Sequence, residues 1–104
     1  MDEQNVFQAA VDAATEAGCA RPDVVAEYLR PDLTLENTQG GPVVFARTGM
    51  GLEPLAAVVA RLAVDPELGP AVNGGRPNPK TIGPRAYRAY RKYAPEVFGL
   101  RERT

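Results

Sequence analysis

The sequence predicts a mainly α-helical domain carrying one small β-hairpin, an α+β fold. Two apolar stripes at helical spacing carry the helical part of that reading, at Phe7, Ala10, Val11, Ala14 and again at Leu55, Val58, Val59, Leu62. Two short β-rich runs around a Gly-Gly pair carry the hairpin. A third observation is the charge split. Residues 1–72 hold eleven acids against Arg21, Arg30, Arg47 and Arg61, giving −7. Residues 73–104 hold eight bases against Glu96 and Glu102, giving +6. The expected organisation is a compact acidic helical body over 1–72, a Gly/Pro linker over 73–79 and a basic C-terminal helical arm over 80–104.

Residues 2–17 read as an amphipathic helix with an alanine-rich inner face. Gln8, Asp12, Thr15 and Glu16 line its other side, and Gly18 is placed to end it in a left-handed cap. Pro22 suits the first position of a second helix, where its missing N–H costs nothing. Val24, Val25, Tyr28 and Leu29 give that helix one narrow apolar face, and Pro31 stops it. So short a link between two helices predicts an αα-hairpin or a helical corner.

Leu33-Thr34-Leu35 alternates apolar and polar, and residues 42–45 are rich in β-formers, with turn chemistry over 36–41 between them. A two-stranded hairpin of this kind is marginal alone and must lie against helices. Thr48-Gly49-Met50-Gly51 reads as a further turn. Its Gly-x-Gly spacing lacks the lysine and the remaining glycines of a phosphate loop. Residues 52–64 give the strongest helical signal, with Pro54 near the start and Pro66 beyond the end. Each buried member of that stripe contributes about 1.5–3 kcal/mol. Leu62→Ala is accordingly expected to cost roughly 2–5 kcal/mol.

Asn73-Gly74-Gly75-Arg76-Pro77-Asn78-Pro79 is a linker by composition, flexible first and then stiffened by proline. Beyond it, Pro84 is positioned to open a helix and Pro95 to close it. At about 100° per residue, Ala86, Tyr87, Tyr90, Tyr93 and Ala94 fall within one arc of about 120°. Arg85, Arg88, Arg91 and Lys92 occupy a separate arc of similar width. A helix this short needs a surface for its aromatic face. Phe98 and Leu100 are placed to anchor the turn that follows. That surface belongs either to the same chain or to a partner, and the sequence leaves both open.

Function is bounded mostly by exclusion. Histidine is absent, which removes the commonest general base and zinc ligand. Cys19 is the single cysteine, so an intrachain disulfide and a thiolate metal cluster are excluded. It reads as a small half-buried residue after a helix. The carboxylates at Asp12, Glu16, Asp23, Glu27, Asp32 and Glu36 read as solvated faces and helix ends. No catalytic residue, metal site or cofactor is expected, and the chain is read as not an enzyme. The acidic start MDEQNVFQAA lacks a basic region followed by an apolar core, so no signal peptide is expected. Residues 55–64 are too short an apolar run to span a bilayer and contain Arg61. A cytoplasmic location follows as the expectation.

The residue order also resembles a known family. An Ala-Arg-Pro-Asp-led helix, a glycine turn with short strands, LEPLAAVVARLAVDPELG and the closing RKYAPEVFGL are together similar to the C-terminal region of small scaffolding or other virion-assembly proteins of tailed bacteriophages. The likeness spans about residues 6–100 in layout. The chain departs from a typical scaffold in having no long coiled-coil segment, so the resemblance implies an assembly protein more broadly. It implies a non-enzymatic, partner-binding role and a cytoplasmic or virion-associated location. Docking would then use the arm: Arg85, Arg88, Arg91 and Lys92 to steer, and Tyr87, Tyr90, Tyr93, Phe98 and Leu100 as anchors, on a protein partner or on further copies of the chain.

The alternative is a small nucleic-acid-binding regulator using the basic face of the same helix. Two features weigh against it. The tyrosines lie opposite the arginines, and residues 1–72 are acidic where a basic footprint is expected. A membrane partner is not expected, because the tyrosine face lacks the Leu, Phe and Trp of an inserted helix.

Overall fold

The computed structural model describes residues 3–78 and 80–98. Helix α1 (Glu3–Glu16) is followed by α2 (Pro22–Leu29) and a 3-10 turn (Arg30–Asp32). Three strands come next, β1 (Leu33–Thr38), β2 (Gly41–Thr48) and β3 (Gly51–Pro54), and then α3 (Leu55–Leu62), α4 (Gly69–Asn73) and α5 (Pro84–Tyr93). A second 3-10 turn, Pro95–Phe98, ends the described chain. The fold is α+β.

Gly18 ends α1 at φ 90°, a left-handed conformation that costs glycine nothing. The Cys19 N–H then donates back to the Ala14 carbonyl at 3.1 Å. This turn delivers the chain to Pro22, which opens α2 as its first residue. The connector is tied down from a distance: the Ala20 and Arg21 N–H groups donate to the carbonyls of Val72 and Ala71 in α4, at 3.0 and 2.8 Å.

The sheet is antiparallel and three-stranded in the order β1-β2-β3, where the sequence predicts two strands. The turn expected at 48–51 is itself a hairpin connection. Thr48 pairs with Gly51 and Arg47 with Leu52, so the chain returns along β2 before entering the helix. Pro54 explains the shift of the expected helix start from 52 to 55. A proline disfavours helical geometry in the residue before it, so Glu53 stays extended, paired with Ala46. The Glu53 carboxylate accepts two bonds from Arg61 in the last turn of α3, at 2.6 and 2.8 Å, and a third from the Thr48 hydroxyl. Together they clip the strand to the helix, and the Arg61 guanidinium, first among the causes, holds the Glu53 carboxyl below its ordinary range.

The core is one continuous cluster. It joins Ala10 and Ala14 of α1, Val24, Val25 and Leu29 of α2, Val44 and Ala46 of β2 and Leu55, Val58 and Val59 of α3. It also includes Leu68 and Ala71, and from beyond residue 79 it takes Ala86, Ala89, Tyr90, Ala94 and Val97. Helix α1 packs against α2, α3 and the sheet, and α2 is held between α1 and α5. Leu62 is only partly buried, in contrast to Leu55 at 2% exposure. It lies in the last turn of α3, where the described chain covers it incompletely, so the expected cost of Leu62→Ala falls below that of the earlier stripe positions.

Candidate functional site

Helix α5 begins at Gly83 and Pro84 and its first turn is fixed by a single acid. The Gly83 N–H donates to Glu67 Oε2 at 2.7 Å, placing a carboxylate at the positive end of the helix. One residue's backbone then secures the middle of the same helix. The Tyr90 hydroxyl donates to the Glu67 carbonyl at 2.8 Å. Tyr90 is fully buried, and that burial pushes its phenol up to about 12.

The remaining aromatic residues follow Tyr90 inward. Tyr87 stacks at a tilt on Phe98 with ring centroids 4.9 Å apart, and Tyr90 meets the same ring edge-on at 5.9 Å. Tyr93 stacks on Phe7 of α1 at 5.9 Å. Tyr87, Tyr93 and Phe98 are half-buried against this chain's own body. Leu100 lies outside the described residues. The buried face of α5 is turned relative to the arc expected from the tyrosines, because Ala86 and Ala89 flank Tyr90 on it. Two alanines let the α5 backbone come close to α2 and leave only one large ring to bury.

The basic arc is divided. The Arg85 Nε donates to the Tyr28 carbonyl at 2.7 Å and its terminal nitrogen pairs with Asp32 at 2.8 Å. Its guanidinium also lies 4.7 Å from the Tyr28 ring centroid. Lys92 reaches Glu27 at 3.6 Å, an acid that also pairs with Arg30. Arg88 and Arg91 are exposed and form no ion pair among the described residues. Of the predicted contact residues that are described, these two are the ones presented to solvent without an ion-pair partner.

A second surface was not anticipated by the sequence. An open groove of about 510 Å³ runs between α1 and the corner where β2, β3 and α3 meet. Ala9, Ala13 and Ala17 form the helical wall, with Asp12 and Glu16 on the same stripe. Val43, Val44 and Leu55 line the opposite side. The walls come from segments about forty residues apart, which is why no local pattern reveals them.

Cys19 is half-buried and its thiol is pushed up by burial, so its reactive thiolate is disfavoured. Apart from the Tyr90 phenol, no polar or charged side chain is buried among the described residues. Among those residues no helix is long and apolar enough to cross a membrane, and no group of three or more His, Cys, Asp or Glu is placed to hold a metal ion. No protein-family model, curated protein or solved structure matches the chain.

Proposed function

We propose that the chain is a non-catalytic protein-binding module whose contact element is the outer, cationic face of α5. The observation that carries this reading is the isolation of Arg88 and Arg91. They stand exposed on a helix whose opposite face is locked into the body, while their neighbours Arg85 and Lys92 are held by Asp32 and Glu27. A helix anchored in this way offers its arginines without further ordering, which lowers the entropic cost of association. The partner is an acidic protein surface, whether of another protein or of the acidic 1–72 region of another copy. Virion assembly in an infected host is the setting implied by the resemblance of 52–69 and 91–100 to phage assembly proteins, and a cytoplasmic or virion-associated location goes with it.

The non-catalytic part rests on the carboxylates. General acids and bases gain their reactivity from burial and from specific charge partners. None of the described carboxylates is buried; those in ion pairs hold Arg61, Arg85, Lys92 and Arg30, and Asp23, Asp65 and Glu67 accept from backbone N–H groups at helix starts and turns.

The test is direct titration of the full chain with a Glu/Asp-rich peptide and, separately, with duplex DNA at low and at physiological salt. Binding of the acidic peptide that is lost in Arg88→Glu/Arg91→Glu supports the reading. DNA binding at low salt with no response to the peptide would replace it by the nucleic-acid alternative, with the steep salt dependence of phosphate contacts.

A further inference from the structure

The groove beside α1 is chemically one-sided. Its floor and walls are apolar, and among the described residues that line it the charged ones are Asp12 and Glu16. The two acids are four residues apart and so stand one above the other on the helix. Between and beside them, Ala9, Ala13 and Ala17 keep the surface low. Small residues at this spacing let a second helix approach closely.

We propose that this groove is a docking site for a cationic amphipathic helix of another protein. The apolar face of that helix would lie on the alanines and on Val43, which is 38% exposed. Its Lys or Arg side chains, one turn apart, would meet Asp12 and Glu16. This is the helix-in-groove mode of recognition, with electrostatics setting partner choice.

The nearest competing occupants do not fit this surface. An added β-strand needs backbone donors on the exposed side of β2. Pro42 pairs with Asn37 of β1, and a proline fits a ladder only where its nitrogen faces away from the paired strand. The position-42 donor is therefore missing on the side away from β1, which leaves an added strand a broken ladder. A second copy meeting this face symmetrically would set Asp12 and Glu16 against their own images, a like-charge contact that disfavours the pair. Of the described cations that form no ion pair, Arg21, Arg47, Arg76 and Lys80 lie outside the helices, and Arg88 and Arg91 stand on a face of α5 that carries Arg85 and Lys92 beside them and no large apolar side chain to fill the groove. A different cationic chain is what the surface fits. The site is separate from the α5 face and of opposite charge, so a chain with both would bridge two unlike partners.

The probe is a synthetic Leu/Ala/Arg peptide of about 18 residues, five helical turns, patterned to be amphipathic. Two controls accompany it: the same composition scrambled, and the same pattern with Glu in place of Arg. Fluorescence anisotropy with the full chain is expected to show binding of the patterned cationic peptide and weaker binding of both controls. Asp12→Lys/Glu16→Lys, two exposed changes, is expected to weaken it by about tenfold or more. Ala13→Arg is expected to do the same by filling the floor, with circular dichroism verifying that each variant keeps its fold. Equal binding of the scrambled peptide, absence of binding, or undiminished binding by the Asp12→Lys/Glu16→Lys variant overturns the proposal. Sedimentation that shows a wild-type dimer broken by that variant also overturns it, by assigning the groove to a second copy.

Discussion

Tyr90 and Glu67 are joined at 2.8 Å, phenol to main-chain carbonyl, while the side chain of the same glutamate caps α5 at Gly83. One residue in the turn before α4 therefore fixes both the start and the middle of the last helix. Tyr90→Phe keeps the ring and removes the donor, leaving the Glu67 carbonyl without its partner. A loss of about 1–3 kcal/mol is expected, the cost of an unpaired buried acceptor. Urea denaturation checks it; an unchanged midpoint would mean that water replaces the phenol at no cost.

The same phenol predicts an alkaline limit. Its folded value of about 12 lies above the ordinary value of 10 for tyrosine, and burial is the first cause. In the folded chain the proton is retained, while in the unfolded chain it leaves near pH 10. The stabilisation is thus fully present below pH 10 and is lost as pH rises from 10 through about 12. A shift of this size corresponds to about 2–3 kcal/mol. Tyr28, also pushed up by burial, acts in the same direction. Denaturation midpoints of wild type and Tyr90→Phe should therefore converge across that interval. Parallel curves would show that Tyr90 is not the titrating group.

Within α3 the stripe is graded. Leu55 is 2% exposed at the start of the helix, and Val58 and Val59 are 4% and 3% exposed. Leu62 is only partly buried. Leu55→Ala should cost about 2–5 kcal/mol, as a buried leucine does, and Leu62→Ala clearly less. Chemical denaturation of the two variants side by side decides the order, and a larger loss at Leu62 would contradict it.

Much of this fold is legible in local pattern, and the failures share one cause. Gly18, Pro22, Pro84 and Pro95 act through their own backbones, so the ends of α1, α2 and α5 follow from the residues themselves. The third strand was hidden because Leu52 and Glu53 look helical in isolation. Pairing with Arg47 and Ala46 overrides that propensity. Ala89, on the buried face of α5, carries no signal in the sequence because its smallness matters only once α2 lies against it. The sorting of α5 into aromatic and basic faces was readable by angle. Which surface receives the aromatic face was not, since that depends on Glu67, Phe7 and α2, far away in the chain. Division of the basic face into held and free cations needed the positions of Asp32 and Glu27.

Removing residues 80–104 is the most severe test of how the last helix belongs to the domain. The truncation takes Ala86, Ala89, Tyr90, Ala94 and Val97 out of the core and uncovers the side of α2 that α5 packs on. Burial of a single large side chain is worth about 1.5–3 kcal/mol, and a domain of this size has about 5–15 kcal/mol in total. Losing Tyr90 and Val97 together with the Arg85–Asp32 and Lys92–Glu27 pairs removes a large part of that margin. The surface pairs add little to the loss; the apolar contacts decide it. The truncated chain should melt many degrees lower or fail to unfold cooperatively, as read by circular dichroism. A truncated body with an unchanged, cooperative melt would mean that α5 adds no stability where it lies, and it would make the whole segment available as a docking arm, tyrosines included.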